Sequence, residues 1–288
     1  MIREDAHGTR TLSGQIYRQK EAPSALALAE EKTTVTIGVT GAFYEDLWEP
    51  AIEALAKENI IVELEQFSDF ALPNNALNDG SISMNAFQHH AYFNNDTTTN
   101  EYDLSVLADT FVITMNVYSA EYETIEDLRA AADAGKKLTV VVPNDATNYG
   151  RALILLADAG LLTLSEYEGT PNVEHIVDAK VELELVNAAM TYQFLTEVDA
   201  AVINGNYAAS YGVDPDSAIF YETIDLSNES FICVIAVRTQ DIDNPVYKRV
   251  AEVFCSDVTG EVANSDFKGF FHLVWEAERE AAEEVKAE

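Results

Sequence analysis

From residue 34 onward, short apolar runs alternate with longer amphipathic stretches, a pattern that predicts strands and helices in turn. TVTIGVT (34–40) reads as a strand ending in a Gly-containing turn, the stretch around 48–56 has helical spacing, and IIVELEQF (60–67) reads as a second strand. Strand, helix and strand at this spacing form a βαβ unit, so a parallel sheet with a right-handed crossover is expected. ALPNNALNDG follows as a short helix and turn, and SISMNAF (81–87) as a third strand opening onto QHHAYF. DLSVLADTFVITMNVYS (103–119) is extended without a strong breaker, long enough to run from one domain into another.

A second α/β set follows. TIEDLRAAAD (124–133) has a Thr cap and acids in its first turn, the signature of a helix start. KLTVVVPNDATNYGRALILLADAGLL (137–162) reads as a buried strand, a turn at Pro143, Asn144 and Asp145, and a helix from about Thr147 to Ala159 stopped by Gly160. VELELVN (181–187) is a strand and 188–197 is helical. DAAVING (199–205) is another buried strand, delivering Asn204 and Asn206 at its carboxyl end. SFICVIAVR (230–238) is strongly apolar and is expected to return the chain to the first domain, before closing helices and a charged tail. The two long extended segments, 110–119 and 230–238, are placed to cross between lobes. One lobe is thus expected from 34–115 plus 230–288, and the other from 116–229.

Residues 1–33 lack periodicity and read as a flexible leader. The small-residue pattern in SALALAEE (24–31) suggests a shortened export leader, because the apolar run before it is too short for a signal core. No apolar run reaches the length of a membrane span.

Composition narrows the partners. Hydrophobic residues make up 48% of the chain, so it can bury a core, whereas 50 acids against 17 Lys plus Arg give a net charge of −33. That charge repels a phosphate backbone and excludes nucleic acid as a partner. The acids are spread along the chain, as on a solvated surface in a salty or extracellular setting. Cys233 and Cys255 are the only cysteines, in no metal-ligand spacing, and read as free thiols. His89 and His90 are adjacent and point apart, so they do not grip one metal. No phosphate loop, dinucleotide fingerprint, nucleophile elbow or zinc motif is found, and no cofactor is expected.

The candidate chemistry gathers at predicted strand ends: Phe70, Phe87, His89, Tyr92, Asn148, Arg151 and Asn204. Arg151 is read in the first turn of its helix, where the dipole disfavours a cation and an anionic partner should justify it. A bound carboxylate or a surface ion pair would each serve. Together these groups suit a small zwitterion with an apolar side chain, in which aromatic walls cover the side chain, Arg151 pairs with the carboxylate and amide oxygens accept from the ammonium.

FSDFALPNNALNDGSISMNAFQHHAYF (67–93), DTFV (109–112), VPNDATNYGRALILLADAGLL (142–162) and AAVINGNYAASYG (200–212) resemble the NlpA-type substrate-binding lipoproteins, the methionine-binding component of an ABC importer. The likeness spans about 34–263. It implies a type II periplasmic-binding-protein fold: two α/β lobes, two crossover segments and a ligand trapped between lobes by hinge closure. It also implies an extracytoplasmic, lipid-anchored, monomeric and non-enzymatic protein that delivers methionine, or a related amino acid or short peptide, to a permease with ATPase subunits. The family's ligand positions fall on Phe70, Phe87, His89, Tyr92, Asn148, Arg151 and Asn204. Three departures stand out: HKPY is HHAY here, no lipobox cysteine precedes the mature region, and PYVNLIV becomes SFICVIA, placing Cys233 where a ligand-binding Asn is usual. Two other uses of the fold stay open, a sensor or adhesin without transport and a cleft enzyme with Cys233 as nucleophile. Arg151→Ala is expected to abolish binding with the fold intact.

Overall fold

The computed structural model describes residues 32–287, with side chains through 280. The first lobe opens with β1 (Thr33–Val39), α1 (Phe43–Ala56) and β2 (Ile60–Gln66). Helix α1 forms because its apolar residues recur on one stripe: Phe43, Tyr44, Leu47, Trp48, Ala51 and Leu55 are all buried. β1 and β2 pair in parallel with Val35 opposite Val62, as the βαβ spacing requires. α2 (Pro73–Asn78) leads to β3 (Met84–His89), which is buried at every position. α3 (His90–Asn100) and β4 (Leu104–Asp109) complete this segment.

The chain then crosses through β5 (Phe111–Ile113) and β6 (Met115–Tyr118) into the second lobe. There α4 (Ile125–Asp133), β7 (Thr139–Pro143), α5 (Ala146–Asp158), β8 (Leu162–Leu164) and β9 (Ile176–Ala179) follow. β10 (Glu182–Val186), β11 (Ala200–Asn204) and α6 (Gly205–Ser210) finish it. A second crossing brings the chain back to β12 (Cys233–Arg238), followed by α7 (Pro245–Phe254), α8 (Asp257–Ser265), β13 (Phe271–Leu273) and α9 (Val274–Ala287).

Two main sheets result, in the orders β2-β1-β3-β12-β4 and β10-β7-β11-β6, with small pairs β13-β5 and β8-β9. β12 sits between β3 and β4 and pairs antiparallel with both. It is therefore an inner strand of the first sheet, and the return crossing lies upstream of it, in the irregular stretch ending at Phe231. Strand β6 joins the second sheet antiparallel to β11, and Val117 of β6 bridges Phe220, so the two crossings pass close together.

Several local expectations shift. The third strand starts at Met84 rather than 81, and α3 runs through residues read only as an opening after it. The stretch Ala188–Phe194 is a 3-10 helix, and the closing segment contains β13 between its helices. Gly150 of α5 has a packing reason: a Cβ there would come 2.6 Å from the Pro171 carbonyl oxygen, which backbone cannot yield. The largest core cluster includes Val35, Trp48 and Phe254 of the first lobe with Val141, Ile203 and Tyr207 of the second. The lobes are thus packed against each other. Among the described residues, no helix is long and apolar enough to cross a membrane.

Candidate functional site

A small cavity lies between the lobes, and all eight residues singled out from sequence line it: Phe70, Phe87, His89, Tyr92, Asn148, Arg151, Asn204 and Cys233. Strand topology brings these residues together. β3 ends in Phe87 and His89, β7 leads into the first turn of α5 with Asn148, and β11 ends in Asn204. The carboxyl ends of strands from both lobes thus meet at the cleft, which is where open α/β sheets hold ligands. Asn206, named from sequence at the end of its strand, joins the lining, and Tyr44, Gln88 and Ile113, which were not singled out from sequence, complete it. Gln88 could have been noticed as the middle of the FQH string.

The apolar wall is a set of touching rings. Phe70 lies 5.9 Å from Phe87, 5.8 Å from Tyr92 and 5.2 Å from Tyr207 between ring centroids. Such contacts are worth about 0.5–1.5 kcal/mol each beyond the area they bury. Tyr92 is held by a hydrogen bond from its hydroxyl to the Phe70 carbonyl at 3.0 Å. Burial, with the nearby Asp96, Asp145 and Asp69 carboxylates adding to it, raises its pKa well above the usual phenol value, so the phenol stays neutral.

The polar wall is a directed chain starting at Asp145, the cap of α5. Its carboxylate can only accept, and it takes the Asn148 backbone N–H at 2.9 Å and the Asn148 side-chain amide N–H at 3.0 Å. The Asn148 oxygen must then face the other way, where it accepts from Asn204 Nδ2 at 2.7 Å and lies 3.4 Å from His89 Nε2. His89 Nδ1 accepts the Tyr92 backbone N–H at 3.1 Å, capping α3, so the ring carries its proton on Nε2. Burial, with the charge of Arg151 adding to it, pushes the His89 pKa down to about 3, and the ring is neutral. At the end of the chain Asn204 Oδ1 is buried with no hydrogen-bond partner among the described residues. A buried unpaired acceptor is costly, and a ligand donor would relieve it.

Arg151 departs from the sequence reading. It sits in the second turn of α5 rather than the first, because the helix begins at Ala146. Asp145, not a ligand, takes the first-turn N–H group of Asn148. The anionic partner of the guanidinium comes from the chain itself: Nε and Nη2 each reach a Glu222 carboxylate oxygen at 2.6 Å. Nη2 also donates to the Ile113 carbonyl at 2.9 Å, and the guanidinium lies 4.6 Å from the Phe231 ring centre. Arg151 still lines the cavity from this position. Glu222 was not singled out from sequence; it stands in a run without periodicity, 71 residues from Arg151.

Cys233 is free and buried in the cavity wall. Burial is the main cause that raises its thiol pKa to about 12, against a smaller opposing effect of Arg151. It is opposite His89 in the β3–β12 register, but both ring nitrogens of His89 are engaged elsewhere. The thiol therefore has no base to ionise it.

Two α/β lobes, two crossings and a cavity lined from both sides define the type II periplasmic-binding-protein fold. Residues 35–275 match the NlpA lipoprotein family. The chain belongs to that family. It is 32% identical to the probable D-methionine-binding lipoprotein MetQ of Vibrio cholerae over 246 residues, covering 84% of this chain and 88% of the relative. Among solved structures it is similar to protein PG110 from Staphylococcus aureus, with 34% identity and a TM-score of 0.77 over 83% of this chain and 94% of that one. It is also similar to a nutrient-binding protein from Burkholderia cenocepacia bound to methionine, with 28% identity and a TM-score of 0.75 over 83% and 99% of the two chains.

Proposed function

We propose that this chain is the extracytoplasmic, lipid-anchored solute-binding component of an ABC importer, acting as a monomer. It closes on methionine, or a closely related amino acid or short peptide, and hands it to a permease with ATPase subunits. The lobes are assigned as 34–115 plus 230–288 and 116–229, turning about the two crossings. The observation that carries the reading is a buried acceptor without a partner, Asn204 Oδ1, and a cation, Arg151, in one ring-walled cavity. An amino acid supplies their complements, an ammonium and a carboxylate, and an apolar side chain suits the rings. Each charge-assisted bond contributes about 1.5–3 kcal/mol and the buried side chain a similar amount, against the roughly 8 kcal/mol that micromolar affinity requires. Several contacts must therefore act together.

The role is non-catalytic: the Cys233 thiol in the cavity wall is held neutral, and both ring nitrogens of His89 opposite it are engaged elsewhere. The test is mass spectrometry of small molecules released on denaturing the purified protein, followed by calorimetry with L- and D-methionine and methionine-containing dipeptides. A bound methionine-like ligand with micromolar or tighter affinity is expected. Release of no such molecule, together with no heat from any of these ligands, would overturn the reading.

A further inference from the structure

The charge presented by the cavity is set by a residue that does not line it. Glu222 holds two donors of Arg151, and its carboxylate also takes the Met115 backbone N–H at 2.9 Å. Its own N–H donates to Asn116 Oδ1 at 3.1 Å. These bonds pin Glu222, on the second crossing, to the first, so it stays beside the guanidinium when a ligand enters. A cation with a fixed carboxylate against one side offers a third group a dipole in place of a full positive charge. The other side chains of the polar wall add no cation. His89 is neutral with both nitrogens used, and the chain of amides starts from the Asp145 carboxylate. The unpartnered atom at its end, Asn204 Oδ1, is an acceptor.

We propose that Glu222 is a specificity determinant: by neutralising Arg151 it makes the cavity select its ligand by the ammonium group, admitting net-neutral zwitterions and cations and rejecting monoanions. The inference rests on the amino-acid reading of the site and names the ligand's charge class. The ligand carboxylate is still received at Arg151, but only alongside an ammonium that Asn204 Oδ1 accepts.

The test uses the full chain and two probes of equal length that are not amino acids, hexylamine and hexanoate, with L-methionine alongside. In calorimetric titration the wild type binds hexylamine at least tenfold more tightly than hexanoate. Glu222→Gln keeps the shape and removes the charge; hexanoate binding rises at least tenfold and the preference reverses. A purely structural role for Glu222 would weaken both probes together and leave their ratio unchanged, which overturns the proposal. The wild-type ranking holds the proposal to account even if the variant does not fold: hexanoate binding as tightly as hexylamine, or no binding of hexylamine, defeats it. Hexylamine preference without methionine binding would instead remove methionine as the solute and leave the charge assignment standing.

Discussion

Replacing Arg151 by Ala tests how binding and stability are joined in this fold. The sequence alone suggests that the variant loses its ligand and keeps its fold; the structure changes the second half. Arg151 is 2% exposed and Glu222 12%, so their bidentate pair is shielded from water. Removing the guanidinium leaves the Glu222 carboxylate with only the Met115 N–H, and takes away the donor to the Ile113 carbonyl and the contact with the Phe231 ring. Breaking one partner out of a buried pair costs about 3–5 kcal/mol, most of it from the charge left behind. At about 2–4 °C per kcal/mol for a fold of this size, the ligand-free melting midpoint should fall by on the order of 6–20 °C. The double variant Arg151→Met, Glu222→Leu removes both charges and should recover most of that loss, since an apolar replacement of a buried pair is often neutral. It should still fail to bind. Urea unfolding and calorimetric melting of the ligand-free proteins, with titration by L-methionine, supply the measurements. A single variant within about 1 kcal/mol of wild type, or a double variant no more stable than the single, would refute the buried-charge account.

Cys233→Asn is expected to strengthen L-methionine binding at least severalfold, because an amide in the cavity wall adds a hydrogen bond worth about 0.5–1.5 kcal/mol where a neutral thiol offers a weak one. Equal or weaker binding in calorimetry would show that the site is built for another solute. His89 should give stability a pH dependence. Its folded pKa is lowered to about 3 and an unfolded histidine titrates near 6.5, so the stabilisation is full above pH 6.5 and is lost as pH falls towards 3, the unfolded chain taking up the proton first. Between pH 7 and 5 this amounts to about 2 kcal/mol, and His89→Gln should lose that much less than wild type over the interval. Parallel stability profiles for the two proteins would rule it out.

Periodicity and turn residues were enough to place most strands and helices, and with them the strand ends where the site lies. β1 and α1 carry their burial pattern in the spacing of their own apolar residues, and Asp145 and Thr124 mark helix starts by their side chains. α3 was not legible because Phe93 is its only buried residue and its polar face runs all round; His89 starts it from the cavity side. The position of β12 between β3 and β4 was not legible either, since an apolar run reports burial on both faces and says nothing of its neighbours. The eight lining residues could be gathered from sequence because each follows a recognisable strand end or motif. Their electrostatics could not. Whether Arg151 offers a charge or a dipole depends on Glu222, and that pairing exists only because α5 and both crossings meet at one point. Local spacing determines which face of an element turns inward; what that face meets, and hence which charges are cancelled and which polar atoms stay free for a ligand, is decided by segments far apart in the chain packing into one low-dielectric place.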